Sequence, residues 1–155
     1  MEGLIDLLLS FVEDHSAYDI AGMEHPVVVE VSREDLTKQF FRGRAHMMPA
    51  DGVEERLNAL YVAGRDGPDV IFIVPAENVA GASHFDNPYG NPLWREILLH
   101  ELVHHAQKEQ GGETWTCVSR GEAEAYEIGG VYLETLGLPD PMSNRNIWKD
   151  LYESC

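Results

Sequence analysis

The chain has 155 residues, of which 44% are hydrophobic, and this is enough for one ordinary core, so we expect a single domain over residues 1–155. Its 27 acidic residues outweigh 11 Lys and Arg, and a formal net charge of −16 argues against binding to nucleic acid or to an anionic membrane surface. No apolar run approaches the ~20 residues that cross a bilayer, and the acidic start is unlike a secretory signal. We therefore expect a cytoplasmic protein, or a secreted mature form from which a leader has been removed.

The first half of the chain predicts two helices, a strand and a hairpin. Apolar residues recur at helical spacing near the start, and β-branched or apolar runs bounded by turn formers follow. The predicted elements are a helix over 1–14, a strand over 27–31, a short helix over 33–41 and antiparallel strands over 59–63 and 70–74.

The second half predicts two long helices separated by a short link. Asn91 and Pro92 are a capping residue and a first-turn proline, so they begin a helix that ends at Gly111. The predicted elements are a long loop over 75–90, helices over 93–109 and 121–135 joined by a link over 113–120, and a surface tail over 138–155. The whole pattern predicts an α+β fold with a small mixed or antiparallel sheet packed on the two long helices.

The chain contains two cysteines, Cys117 and Cys155, which lack the spacing of a metal-binding pair. A bridge between them would require an oxidising compartment. Two separate thiols fit the expected cytoplasmic location better, and the disulfide stays open as the alternative.

The first long helix contains the segment His100-Glu101-Leu102-Val103-His104. Two imidazoles four residues apart project from one face of a helix, ~5.4 Å apart along its axis, and can reach one metal ion. Glu101 points to the flank of this pair, where it can accept a proton from an attacking water. Apolar neighbours place the pair at the boundary of the core, and the pattern predicts a metal site.

A third ligand has to come from another part of the chain. An extended motif with a further glycine and histidine is excluded, because those positions hold Gln107 and Gln110. No histidine follows His105, and acidic residues cluster at Glu122 and Glu124 in the next long helix. One of these two would complete a His, His, Glu site that leaves one position for water.

The phase of the last long helix favours Glu122 over Glu124. Its apolar face is centred about 60° from Glu122 and about 100° from Glu124. The face is formed by Ala125, Ile128, Gly129, Tyr132 and Leu136. A rival explanation also stays open, because Ser119 and Glu122 fit a capping box in which the glutamate binds the serine backbone.

From Ile97 to Tyr126 the sequence resembles the gluzincin clan of zinc metallopeptidases, and its small size is similar to that of the minimal members, the minigluzincins. The resemblance rests on the His-Glu-x-x-His helix and on a following helix with Glu-x-x-Ala. It implies a zincin-like fold, a Zn²⁺ cofactor and a peptide or protein substrate. The implied ligands are His100, His104 and Glu122, with Glu101 as general base. Where these families carry Asp or Asn after the alanine, the chain has Tyr126, a departure at a position that orients a ligand histidine.

Peptide hydrolysis also needs a hydrogen-bond donor for the developing oxyanion. Tyr126 lies one turn beyond Glu122 and is the first candidate, ahead of His84 and Tyr89 in the preceding loop. Each also has a structural interpretation, Tyr126 as a ring that packs between helices and the other two as loop anchors. Arg120 and His105 are interpreted as surface residues or as residues that contact the ligands. The remaining histidines are interpreted as structural: His15, His25 and His46.

These patterns predict a zinc-dependent endopeptidase. The alternative is a catalytically silent zinc-binding module, in which the metal has a structural or regulatory role. In that case the tail after Pro141 or the loop before Asn91 would cover the open position on the metal.

Overall fold

The computed structural model describes residues 1–152 and residue 155. The predicted α+β class is confirmed, with six α-helices and one three-stranded sheet in this part of the chain. The helices are α1 (Glu2–Asp14), α2 (Arg33–Phe40), α3 (Pro92–Gln110), α4 (Glu113–Thr116), α5 (Val118–Thr135) and α6 (Arg145–Tyr152), and the strands are β1 (Val27–Glu30), β2 (Ala59–Val62) and β3 (Val70–Ile73).

The chain divides into two compact units, a helical unit of Met1–His25 with Arg95–Cys155 and a sheet unit of Pro26–Trp94. This division does not test whether residues 1–155 form a single domain, which stays a prediction.

The three strands of the sheet unit form a mixed sheet in the order β1-β3-β2. β3 pairs antiparallel with β2, which is the predicted hairpin, and in parallel with β1. Ile71 and Ile73 of β3 are fully buried, whereas Val70 and Phe72 on its other face are half-buried. The sheet is therefore the mixed one of the two predicted kinds, and the zincin-like arrangement of sheet and helices stays a prediction.

The predicted loop over residues 75–90 contains three short 3₁₀ turns. The Glu30 carboxylate accepts hydrogen bonds from the Ala76 backbone N–H at 3.1 Å and from the Tyr89 hydroxyl at 3.2 Å. The amide of Asn91 donates to the Ala80 carbonyl at 2.9 Å. The loop is thus attached to its own unit at its start, middle and end.

The helical unit contains α3 from Arg95 onwards, and five apolar side chains of this part of the helix are fully buried: Leu98, Leu99, Leu102, Val103 and Ala106. A helix that is apolar on most sides offers few places for polar groups, so its buried polar residues are informative. They are Glu101, His105 and Gln107. No helix in the described part of the chain is both long and apolar enough to cross a bilayer.

Two predicted boundaries in the helical unit are wrong. The link over 113–120 forms α4 and the first turn of α5, which begins at Val118 and not at residue 121. The tail over 138–155 contains a helix, α6, that begins at Arg145. α6 packs against α5, and local apolar periodicity carries no information about such a contact.

The cysteines are joined in a Cys117–Cys155 disulfide, so the expectation of two separate thiols is wrong. The bridge connects the start of α5 to the end of the chain, 38 residues away in sequence. Sequence spacing carried no signal for this contact, which depends on the path of the tail.

A buried cation attaches the tail to α5. The Arg145 guanidinium donates to the Asp140 carboxylate at 2.6 Å, to the Glu96 carboxylate at 2.8 Å and to the Tyr126 carbonyl at 3.3 Å. Gly129 of α5 leaves room for this cluster, because a Cβ atom there would lie 2.4 Å from a Glu96 oxygen. The position of α6 therefore depends on charge pairing as well as on apolar packing.

The cluster predicts a pH dependence of stability. Burial would raise the pKa of Asp140, but hydrogen bonds from Arg145 and from the Met142 backbone lower it below its usual range. A carboxyl whose folded pKa is depressed adds stability above its unfolded pKa of about 3.9, and that stability is lost as the pH falls through the folded value. Asp140→Asn should therefore lower the free energy of unfolding by about 1 kcal/mol at neutral pH, a value suited to a partly exposed pair.

The check is urea denaturation of both proteins over a pH series. The difference in free energy of unfolding should be constant from neutral pH down to about pH 5 and should disappear below the folded pKa. A difference that persists under strongly acidic conditions would show that the ion pair is not its source.

Candidate metal centre

α3 positions both motif histidines. The helix begins as predicted, because the Asn91 side chain accepts a hydrogen bond from the Leu93 backbone N–H at 3.1 Å. Gly111 follows its last turn with a φ of 68°, which suits a glycine at a helix C-terminus. Between these ends, the helical spacing places the rings of His100 and His104 on one face with centroids 4.9 Å apart.

The carboxylate of Glu122 lies between the two imidazoles. Its Oε2 atom is 3.2 Å from Nε2 of His100, and its Oε1 atom is 3.4 Å from Nε2 of His104. Two ligand atoms at ~2.0–2.1 Å from a tetrahedral zinc lie about 3.3 Å apart. Each separation is close to this distance, and each involves a different oxygen of the carboxylate. One ligand atom from each of the three side chains lies within 4.8 Å of the other two, so the three could share one ion.

The charges of the site favour a cation. Burial lowers the pKa of His104, but its hydrogen bond with Glu122 and the negative charges of Glu101 and Glu122 raise it to about 9. Burial raises the pKa of Glu122, but hydrogen bonds with both histidines hold it well below its usual range. The glutamate is thus ionised at neutral pH, and the field that retains a proton on His104 also attracts a divalent ion.

Glu122 faces the histidines because of the phase of α5. The N-cap of this helix is Cys117, so Ser119 lies inside the helix and the capping box suggested for Ser119 and Glu122 is wrong. Glu124, the other candidate ligand, instead accepts hydrogen bonds from Gln107 at 2.9 Å and from Tyr18 at 2.5 Å. The assignment of Glu122 as a ligand stays a prediction, but its competing explanation is removed.

Glu101 lies beside the ligand set without belonging to it. The residue is 8% exposed, and it does not belong to the group of side chains formed by His100, His104 and Glu122, which could share one ion. Its negative charge contributes to the raised pKa of His104. The role of Glu101 as general base stays a prediction.

Tyr126 contacts the site through its ring. The ring centroid lies 5.0 Å from that of His100, at an angle of 63°. Burial and the charge of Glu122 raise the pKa of Tyr126 to about 12, so its hydroxyl is protonated at neutral pH. Its ring is also stacked 6.1 Å from that of Tyr152 in α6. The proposed oxyanion donor thus lies beside a predicted ligand and beside the C-terminal helix.

The two loop candidates for the oxyanion donor belong to the sheet unit. His84 is exposed in a 3₁₀ turn, and the Tyr89 hydroxyl binds Glu30. Tyr89 is therefore a loop anchor, as interpreted from the sequence.

His105 and Arg120 differ in their surroundings. His105 is 2% exposed, and its Nε2 atom donates to the Glu24 carbonyl at 2.8 Å, so the surface interpretation of this residue is wrong. Arg120 forms an ion pair with Glu113 and is half-buried. The other three histidines are exposed in the helical unit or the sheet unit: His15, His25 and His46.

The motif did not predict the polar contacts behind His104. Oε1 of Gln107 lies 2.9 Å from Nδ1 of His104, and Nε2 of Gln107 donates to the Gly121 carbonyl and to Glu124, both at 2.9 Å. Gln107 is 1% exposed. The sequence did contain a signal for these contacts. Gln107 follows a predicted ligand by three residues on an apolar helix, and a buried glutamine needs hydrogen-bond partners.

Residues 89–150 match a family model described as a domain of unknown function, DUF6647. The matched stretch contains α3, α4 and α5 and with them both histidines, Glu122 and Tyr126. Neither a curated protein nor a solved structure matches the chain.

The geometry gives a direct test of the third ligand. Glu122→Gln should weaken zinc binding by more than about 100-fold, because the amide lacks the charge that balances the ion. Replacing a residue that only orients a ligand typically weakens binding by about 10–100-fold. Glu124→Gln is the comparison variant and should weaken zinc binding by less than about tenfold, the lower end of the effect of losing a group that orients a ligand, since its amide oxygen can still accept from Gln107. Competition with a chromophoric chelator measures both affinities. The reverse order would transfer the ligand role to Glu124.

Proposed function

We propose that this protein is a zinc-dependent metallopeptidase that hydrolyses peptide bonds in a peptide or protein substrate. One observation carries the proposal. The Glu122 carboxylate lies 3.2 and 3.4 Å from the Nε2 atoms of His100 and His104, and the buried Glu101 lies beside them.

The donor set suits zinc. Two imidazole nitrogens and one carboxylate oxygen are the ligands of many catalytic zinc sites, which keep a fourth position for water. Mg²⁺ and Ca²⁺ prefer oxygen ligands throughout, so the two nitrogens disfavour them. The Glu122 side chain is 30% exposed, which supports solvent access to the open position.

Zinc, when bound, supplies a Lewis acid that polarises the substrate carbonyl and lowers the pKa of water to about 7. Glu101 then accepts a proton from the attacking water and donates it to the leaving amine nitrogen. Tyr126 keeps its own proton at neutral pH, so its hydroxyl can donate a hydrogen bond to the oxyanion. His100, His104 and Glu122 would hold the ion, and Glu101 and Tyr126 would supply the acid–base and hydrogen-bonding groups.

A catalytically silent zinc-binding module is the second candidate, and a specific contact favours it. Tyr152 of α6 stacks on Tyr126, which contacts His100. The C-terminal helix therefore lies near one flank of the ligand set. A tail that covered the fourth position would exclude substrate and leave the metal with a structural or regulatory role.

The disulfide bears on the compartment. Cytoplasmic thiols are kept reduced, so the Cys117–Cys155 bridge favours the secreted alternative over the expected cytoplasmic location. The net charge of −16 supports a peptide or protein substrate over nucleic acid or an anionic membrane surface.

One variant tests the peptidase proposal against the silent zinc-binding module. Glu101→Gln should keep the fold and one zinc per chain, while cleavage of a mixture of unfolded proteins falls by about 10²–10⁴-fold, because only the general base is lost. The measurements are elemental analysis and the rate of proteolysis, with and without chelator. His104→Ala is the control, and it should lose both the zinc and the activity.

A wild-type protein that binds one zinc per chain and cleaves nothing would support the silent module. Loss of zinc in Glu101→Gln would make Glu101 a ligand and would contradict its assignment as general base.

A further inference from the structure

We infer that Gln107 is a positioning residue that fixes which nitrogen of His104 faces the metal. The inference rests on the proposed metal site. It assigns a role to a buried contact that the His-Glu-x-x-His pattern does not contain.

The orientation of the Gln107 amide follows from its surroundings. Its Nε2 atom lies 2.9 Å from the Gly121 carbonyl and 2.9 Å from the Glu124 carboxylate. Both partners are acceptors, and an amide NH₂ group offers two donors to match them. The flipped amide would place its oxygen against two acceptors, so Oε1 has to face His104.

The orientation of this amide determines the tautomer of His104. Oε1 of Gln107 can only accept, so the Nδ1 atom of His104, 2.9 Å away, has to carry a hydrogen. A neutral imidazole protonated at Nδ1 has its lone pair at Nε2. Nε2 is the atom that faces Glu122 at 3.4 Å. The contact therefore prepares the ring to bind a metal on the Glu122 side.

Further hydrogen bonds hold Glu124 in place behind Gln107. The Tyr18 hydroxyl donates to the Glu124 carboxylate at 2.5 Å and lies 2.8 Å from the Thr114 hydroxyl. Tyr18 comes from the segment after α1, and Thr114 comes from α4. The order Tyr18, Glu124, Gln107, His104 is thus a continuous chain of hydrogen bonds that ends on a predicted ligand.

Gly121 gives independent evidence that space is kept for this amide. A Cβ atom at this position would lie 2.8 Å from Oε1 of Gln107 and 2.5 Å from the Thr114 carbonyl. Glycine weakens the interior of a helix, and Gly121 lies inside α5. The backbone of Thr114 and the Gln107 amide both approach the α5 backbone closely here, and glycine is the residue that leaves room for both.

The first test is zinc affinity, measured by competition with a chromophoric chelator. Gln107→Leu removes the acceptor at similar volume and should weaken zinc binding by about 10–100-fold, the usual effect of losing a group that orients a ligand. Gln110→Leu is the matched control, since Gln110 is an exposed glutamine on the same helix that donates to the Asp19 carbonyl. It should bind zinc as the wild type does. Equal affinities for wild type and Gln107→Leu would overturn the inference.

The second measurement needs no variant. Long-range ¹H–¹⁵N correlation spectra of the zinc-loaded wild type, labelled at histidine, should show a hydrogen on Nδ1 of His104 and a metal-bound Nε2. The opposite pattern, with Nδ1 bound to the metal, would overturn the inference even if Gln107→Leu failed to fold.

The outcomes separate this inference from the proposed function. A wild type without affinity for zinc overturns both. Zinc binding with no effect of Gln107→Leu overturns the inference alone. Zinc binding that depends on Gln107, in a protein without proteolytic activity, overturns the peptidase proposal and supports the inference.

Discussion

The carboxylate of Glu122, held between two imidazoles of α3, is the interaction on which the rest of the candidate site depends. It places a negative charge at the edge of a helix whose core-facing residues are apolar. This charge raises the pKa of His104 and of Tyr126. An ionised glutamate in partly buried surroundings is costly unless it is paired, so its partners have to be held accurately.

Close contact between α3 and α5 is what holds these partners, and two glycines of α5 allow it. Gly121 leaves space for the amide of Gln107, and Gly129 leaves space for the Glu96 carboxylate beside Arg145. At both positions the space is filled by a polar side chain that is hydrogen-bonded to another residue, Gln107 to Gly121 and Glu124, and Glu96 to Arg145. The interface between the two helices thus combines apolar packing with polar contacts, and the polar contacts set the directions of the side chains.

The sequence by itself determined the parts of the protein that depend on local periodicity. The spacing of four residues places His100 and His104 on one face of a helix, and the apolar phase of the next long helix turns Glu122 and not Glu124 towards them. The hairpin of β2 and β3 was predicted for the same reason, from two apolar runs around a turn. In each case the information lies within about one or two helical turns or within adjacent strands.

Only the tertiary structure decided the contacts between residues that are distant in the chain. The tail predicted on the surface contains α6, whose first residue, Arg145, pairs with Glu96 of α3 and with Asp140 of the tail itself. Cys155 at the end of the tail is joined to Cys117. In the sequence, Glu124 is one of several acidic residues at the start of a helix. In the structure, its carboxylate accepts hydrogen bonds from Gln107 and from Tyr18, which is 106 residues away in the chain. A side chain's hydrogen-bond partners depend on which groups surround it after packing, and periodicity specifies only the face from which it projects.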